Sequence, residues 1–253
     1  MPDISPVKEE FGAEKGLTAI VMAPAMDAWD KGEFCTPLTE LLVKRGYRVT
    51  LYDTMSLVGF MPNLADAAAC WKEVLLQRHS RIDLAIGQAY GGALLQHILG
   101  DLLTARSCFI GLSAPTFYDD MLRVGLDDVL LKLREKGPEV AIQAKAWWVL
   151  ADNSIAKPPR PKNVTSASAE RVATAFNHLR SHDARDAVAR FTGRALWLHG
   201  ERSRLVRDTN LIQISNHPRY RVVGLANCGM RPLTDARVEA ICCIESFLNE
   251  AES

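Results

Sequence analysis

Short apolar runs at 17–23, 47–52, 82–86, 107–112, 195–199 and 220–225 alternate with longer stretches of helical periodicity. The runs are rich in Val, Ile and Leu and are bounded by Gly, Pro, Asn or Asp. They lack the polar alternation of a half-exposed strand, so burial on both faces is expected. Helices are predicted over 36–45, 63–78, 91–103, 206–215 and 234–249. Thr36 and Pro37 suit the start of the first, and Asn63 suits the cap of the second. Repeated strand–helix–strand units imply an α/β fold, a predominantly parallel sheet with flanking helices on both faces.

One stretch interrupts the alternation. No strand pattern occurs between Pro115 and Phe191, where helical patterns run over 121–135, 139–150 and 169–179. The proline-rich segment 157–162 reads as a turn or linker, since Pro removes a donor and restricts its neighbour. The expected organisation is a core from 1–114 and 191–253 with a helical cap insert at 115–190. Such an insert covers the C-terminal ends of the strands, where open α/β sheets carry their ligands.

Composition narrows the partners. Among 253 residues, 48% are hydrophobic and 24% charged, and the formal net charge is zero. That balance excludes a disordered chain and argues against nucleic-acid or polybasic membrane partners. A chain of this length buries roughly 70–75% of its unfolded surface, so it needs no metal or disulfide staple. No segment reaches the ~18 apolar residues of a membrane span. The first ten residues lack the apolar stretch of a secretion signal. The six cysteines form no CxxC pair and read as reduced thiols, which points to the cytoplasm. No His or carboxylate group has metal-ligand spacing, and no cofactor is expected.

The most specific local signal is Ile86-Gly87-Gln88-Ala89-Tyr90-Gly91-Gly92, joining a strand to a helix. It matches the nucleophile elbow G-x-S-x-G, whose strained turn exposes a serine at the sheet's edge. Here the nucleophile position is Ala89, whose methyl group cannot attack a carbonyl.

Around this elbow the chain resembles the α/β-hydrolase superfamily, especially its small esterase, thioesterase and carbon–carbon hydrolase branch. The resemblance covers nearly the whole length. Residues 17–46 are similar to the strand, oxyanion loop and first helix, with Trp29 and the ending Leu-Val-Lys-Arg-Gly-Tyr-Arg-Val. Asp53 stands where the next strand usually ends in Asp. Residues 186–200 and 234–248 resemble the return from the cap and the last helix. The resemblance implies an α/β-hydrolase fold with a helical cap.

The departures bear on function. After Gly200 the family shows Gly-x-x-Asp, but the acid position here is Ser203. Its Gly-His-x-Pro is replaced by Gly229-Met230-Arg231-Pro232, so Met230 takes the histidine position. The usual His-Gly of the oxyanion loop is replaced by Ala23-Pro24-Ala25-Met26. Serine needs a base and the base needs an orienting acid, so Ala89, Ser203 and Met230 leave all three roles unfilled. A single engineered serine-to-alanine replacement predicts an intact acid and base, and both are missing.

The resemblance still implies an oxyanion hole from the backbone N–H of Tyr90 and that of Ala25 or Met26. The expected function is non-hydrolytic: binding or acting on a small carbonyl or carboxylate compound under the cap, as a lyase, isomerase or cyclase. The alternatives are an ester or thioester hydrolase with Ala89 engineered from a nucleophile, and a ligand- or partner-binding pseudoenzyme. The expected ligand-binding residues are Ala25, Met26, Asp27, Ala89, Tyr90, Met230 and Trp147. Asp27 and Asp30 could supply an acid–base group or face water. His199 and His97 are expected to be structural, and His79, His178, His182 and His217 to lie at the surface. Cys228 reads as a buried, inert thiol. The expected partner is a small-molecule ligand or substrate, with a protein partner or homo-oligomer as an alternative.

Overall fold

A computed structural model describes residues 5–153, 158, 161, 164–211 and 217–252. The chain runs β1 (Lys8–Phe11), β2 (Leu17–Met22), α1 (Thr36–Lys44), β3 (Tyr47–Tyr52), α2 (Leu64–Arg78), β4 (Leu84–Gln88), α3 (Tyr90–Gln96), α4 (Leu99–Leu102) and β5 (Cys108–Leu112). Four helices follow: α5 (Asp120–Lys136), α6 (Pro138–Val149), α7 (Ser166–Leu179) and α8 (Arg185–Arg190). The chain then closes with β6 (Arg194–Gly200), β7 (Tyr220–Leu225), α9 (Pro232–Asp235) and α10 (Arg237–Glu252).

The seven strands form one sheet in the order β1-β3-β2-β4-β5-β6-β7. Only the β1–β3 pair is antiparallel. All six apolar runs are strands. The short β1 carries Lys8, Glu9 and Glu10, so it has no apolar signature and holds to the edge through its backbone ladder to β3.

Alternate strand residues feed two separate cores. Ile20, Met22, Ala85, Phe109 and Trp197 pack with α2, α3 and the helices between β5 and β6. Ala19, Val21, Leu84, Ile86, Ile110 and Leu196 pack with α1 and α10 on the other face. This is why the runs are mainly apolar, with exposed Arg48 in β3 and Arg221 in edge strand β7 as exceptions.

Four helix boundaries differ from expectation, one of them at the end of the chain's fold, where the expected helix over 234–249 divides at Ala236 into α9 and α10. Cys35, not Thr36, occupies the cap of α1, and the Thr36 hydroxyl donates back to Glu33 O at 3.1 Å. The segment 91–103 divides into α3 and α4, because His97 and Ile98 donate to Leu94 and Leu95 and tighten the last turn. In 206–215 the helical part is a single 3-10 turn at Asp208–Asn210, and 212–216 lie outside the described residues. Most of the proline-rich 157–162 segment also lies outside them. The last helix between β5 and β6, α8, has no counterpart among the expected helices and packs beside α4.

Candidate functional site

From β2 the chain moves to β3 on one side, then returns to β4 on the other. The switch point therefore lies between the C-terminal ends of β2 and β4, where open α/β sheets form a crevice. The two segments that leave those ends are 23–27 and 88–90. Both line a cavity of ≈ 260 Å³, closed on its far side by residues of α5, α6 and α7. The wall is mainly apolar, with Leu122, Leu126, Val129, Trp148, Phe176 and Met230 prominent.

The elbow is fully formed. Ala89 has φ 47° and ψ −113°, a conformation that L residues rarely adopt. Its N–H donates to Leu112 O and its carbonyl accepts from Ala93 N, both at 2.9 Å. The turn demands neighbours without side chains. A Cβ on Gly87 would stand 2.3 Å from the Gly92 Cα, and one on Gly91 would stand 2.4 Å from Met22 O. The glycines thus serve close packing of α3 against β2 and β4, whatever stands at position 89.

The positions expected to carry a triad lie in different surroundings. Met230 is buried in the cavity wall, and its N–H donates to Val149 O of the insertion at 3.0 Å. Ser203 is fully buried but does not line the cavity. Its hydroxyl accepts from Leu205 N at 3.2 Å and Val206 N at 3.0 Å, which fixes the loop after β6. Among the described residues, no serine, cysteine or histidine lines the cavity.

Of the expected ligand-binding residues, Ala25, Met26, Asp27, Ala89, Tyr90 and Met230 line the cavity. Trp147 does not. It lies 42% exposed beneath the Arg204 guanidinium, 3.9 Å from the ring centroid. Lys145, Trp148 and Val149 share the inward face of α6 at i, i+3 and i+4, and Trp147 falls off that stripe. The Trp148 indole donates to Asp128 Oδ2 at 2.8 Å.

The histidines also require correction. His178 and His182 are buried, not superficial. His178 Nε2 meets Met61 O at 2.8 Å, and His182 Nε2 meets Pro115 O at 2.9 Å. Each carbonyl can only accept, so both rings carry the proton on Nε2. His182 Nδ1 then accepts from His97 Nε2 at 3.0 Å. His199 is buried at the end of β6, away from the cavity wall. Cys228 is buried, and burial together with Asp235 pushes its thiol up to about 12. Asp30 holds its own turn, accepting from Gly32 N and Phe34 N.

The cavity's charged pair combines an expected residue with one the sequence reading passed over. Asp27 Oδ1 and Lys145 Nζ are 3.1 Å apart, and both residues line the cavity. Burial works to raise the Asp27 pKa, but the Lys145 ammonium outweighs it and holds the carboxyl low. Burial lowers the Lys145 pKa, and Asp27 opposes that shift. The sequence signal is a single cation in the middle of a helix whose other polar side chains are Glu139 and Gln143. Gln88 was also passed over. It is 8% exposed and lines the cavity, and its Oε1 has no partner among the described residues.

The loop that carries Met26 is clamped from above. Arg171 of α7 donates Nε to Met26 O at 2.8 Å and forms a short ion pair with buried Asp53 at the end of β3. Asp53 also accepts from Met55 N. One guanidinium therefore joins the insertion, the loop and the sheet.

No family model matches the chain, and no curated protein matches it in sequence. Solved structures do. MGS-M2, an α/β hydrolase enzyme from a Medee basin deep-sea metagenome, aligns with a TM-score of 0.79 at 10% identity, covering 96% of this chain and 94% of that one. The bromoperoxidase from Bacillus anthracis aligns with a TM-score of 0.73 at 15% identity, covering 96% and 94%. The esterase from Thermogutta terrifontis aligns with a TM-score of 0.72 at 17% identity, covering 98% and 94%. Full-length likeness at such low identity speaks for shared architecture, and with the elbow between β4 and α3 it establishes that this chain has the α/β-hydrolase fold.

Proposed function

We propose that the chain binds or transforms a small, largely apolar carbonyl or carboxylate compound without hydrolysing it, as a lyase, isomerase or cyclase. The observation that carries this reading is the composition of the cavity wall. It keeps the elbow and is lined by Met26 and Tyr90, but among the described residues no serine, cysteine or histidine lines it, and the Tyr90 hydroxyl is engaged by His178 behind the wall. Neither residue's backbone N–H donates to a protein group among the described residues. An oxyanion hole alone is worth about 10³-fold over water, while loss of the serine or histidine cost about 10⁶-fold in one well-studied serine hydrolase. Hydrolysis is therefore the activity this wall supports least, and polarisation of a carbonyl oxygen the one it supports best.

The names of the neighbouring structures favour a second reading, an ester hydrolase in which Ala89 replaces a nucleophile. That reading needs a base beside position 89. Restoring Ala89→Ser and assaying short aryl esters separates the two. The expected result is turnover at the background rate. Substantial turnover would return the chain to the hydrolases. In parallel, denaturing extraction of freshly purified protein is expected to release a small carbonyl or carboxylate compound that the cavity-filling Ala89→Leu variant does not retain.

A further inference from the structure

Lys145 is the least explained group in the cavity. Its side chain is 17% exposed and has one carboxylate partner, Asp27. Leu126, Val129, Trp148 and Val149 line the same cavity. The Asp27 side chain stays 45% exposed, so the ammonium bears most of the desolvation and the pair returns little stability. A solubilising lysine would extend outward instead. The same cavity is lined by the Gln88 amide, which is buried with an unpartnered oxygen.

Building on the carbonyl-binding reading above, we propose that Lys145 forms an imine with a small apolar ketone or aldehyde held in this cavity, with Asp27 carrying the protons. The Asp27 carboxylate takes one proton from the ammonium. The freed Nζ lone pair attacks the carbonyl carbon, and the C=O π electrons move to oxygen, which receives that proton from Asp27. Asp27 then takes a second proton from nitrogen and returns it to the hydroxyl. The nitrogen lone pair expels water, leaving a protonated imine. Ammonium plus carbonyl thus become iminium plus water, with Asp27 unchanged and no outside reagent.

Three features support this step. Burial favours the neutral amine that must attack. The Asp27 oxygen already sits within hydrogen-bond reach of Nζ. Gln88 and the N–H groups of Met26 and Tyr90 line the same cavity and can steady the carbonyl oxygen. An iminium also draws electrons from adjacent C–H and C–C bonds, which supplies an electron sink where no triad exists.

The test treats the full chain at neutral pH with 2-octanone and sodium cyanoborohydride, then maps reduced adducts by peptide mass spectrometry. Tryptophan fluorescence with the same ketone, without reductant, reports binding separately, and Trp148→Phe identifies the responding ring. The expected result is saturable quenching and an adduct at Lys145 formed at least about tenfold faster than at any other lysine. Asp27→Asn should slow labelling about 100-fold, and Ala89→Leu should abolish both signals. Lys145→Arg should quench but not label. Quenching without preferential Lys145 labelling would overturn the imine and leave the carbonyl pocket standing. Neither quenching nor labelling would remove both. Labelling that survives Ala89→Leu would mean attack from outside the cavity, and would also overturn it.

Discussion

The Tyr90 hydroxyl donates to Nδ1 of His178 across 2.8 Å. The bond ties the first residue after the elbow to the last turn of α7, so the cavity's floor and roof share one buried polar contact. With Met61 O taken up by Nε2, the imidazole is held neutral, and burial lowers its pKa. Tyr90→Phe would leave Nδ1 without a donor. The expected cost is about 1–3 kcal/mol in urea unfolding. An unchanged midpoint would show that this bond does not hold α7 to the elbow.

Acid should loosen the insertion. Burial lowers the His182 pKa from 6.5 to about 4. Between those values the unfolded chain binds more protons than the folded one. Stability is therefore complete above pH 6.5 and falls as the pH drops toward 4, by about 3 kcal/mol from this residue. His79, also lowered to about 4 by burial, acts in the same direction. Urea midpoints measured at about pH 7.5 and about pH 4.5 check this. His182→Gln should shrink the difference between them, and a pH dependence unaltered by that change would assign it elsewhere.

Arg171 holds three parts of the molecule, and its loss should be severe. Arg171→Met leaves buried Asp53 without its cation and releases Met26 O. Breaking a buried pair from one side costs about 3–5 kcal/mol. Adding Asp53→Asn removes the orphaned charge and should recover part of that loss. Chemical denaturation of the two single variants and the double variant measures the coupling. Strict additivity would show that the two side chains do not interact energetically.

Ala89 occupies a backbone conformation that glycine tolerates better. Strain there costs of order 1–3 kcal/mol, against roughly 0.4–1 kcal/mol of extra unfolded-chain entropy for glycine. Ala89→Gly should therefore stabilise the fold by about 1 kcal/mol. A lower thermal midpoint would mean that the methyl group's packing in the wall outweighs the strain. Gly91→Ala should do the opposite and prevent proper folding, because its Cβ would press on the Met22 and Ala23 carbonyls.

The sequence alone determined the layered architecture, because a strand buried on both faces must be mainly apolar and the loops between must break that pattern. It also located the elbow, since a one-residue turn from strand to helix tolerates no side chains at its glycines. It identified the part of the wall built from 25–27, 89–90 and 230, all segments that leave strand ends. Only the tertiary structure decided what faces those segments. Lys145, Trp148 and Arg171 come from helices whose rotation is set by packing, and a shift of one residue moves a side chain about 100° around the helix axis. That is why Trp147 points outward and its neighbour inward. His178 and His182 resemble surface histidines in sequence because polar residues surround them. Their burial depends on carbonyls at Met61 and Pro115, brought close by the fold and invisible to local pattern.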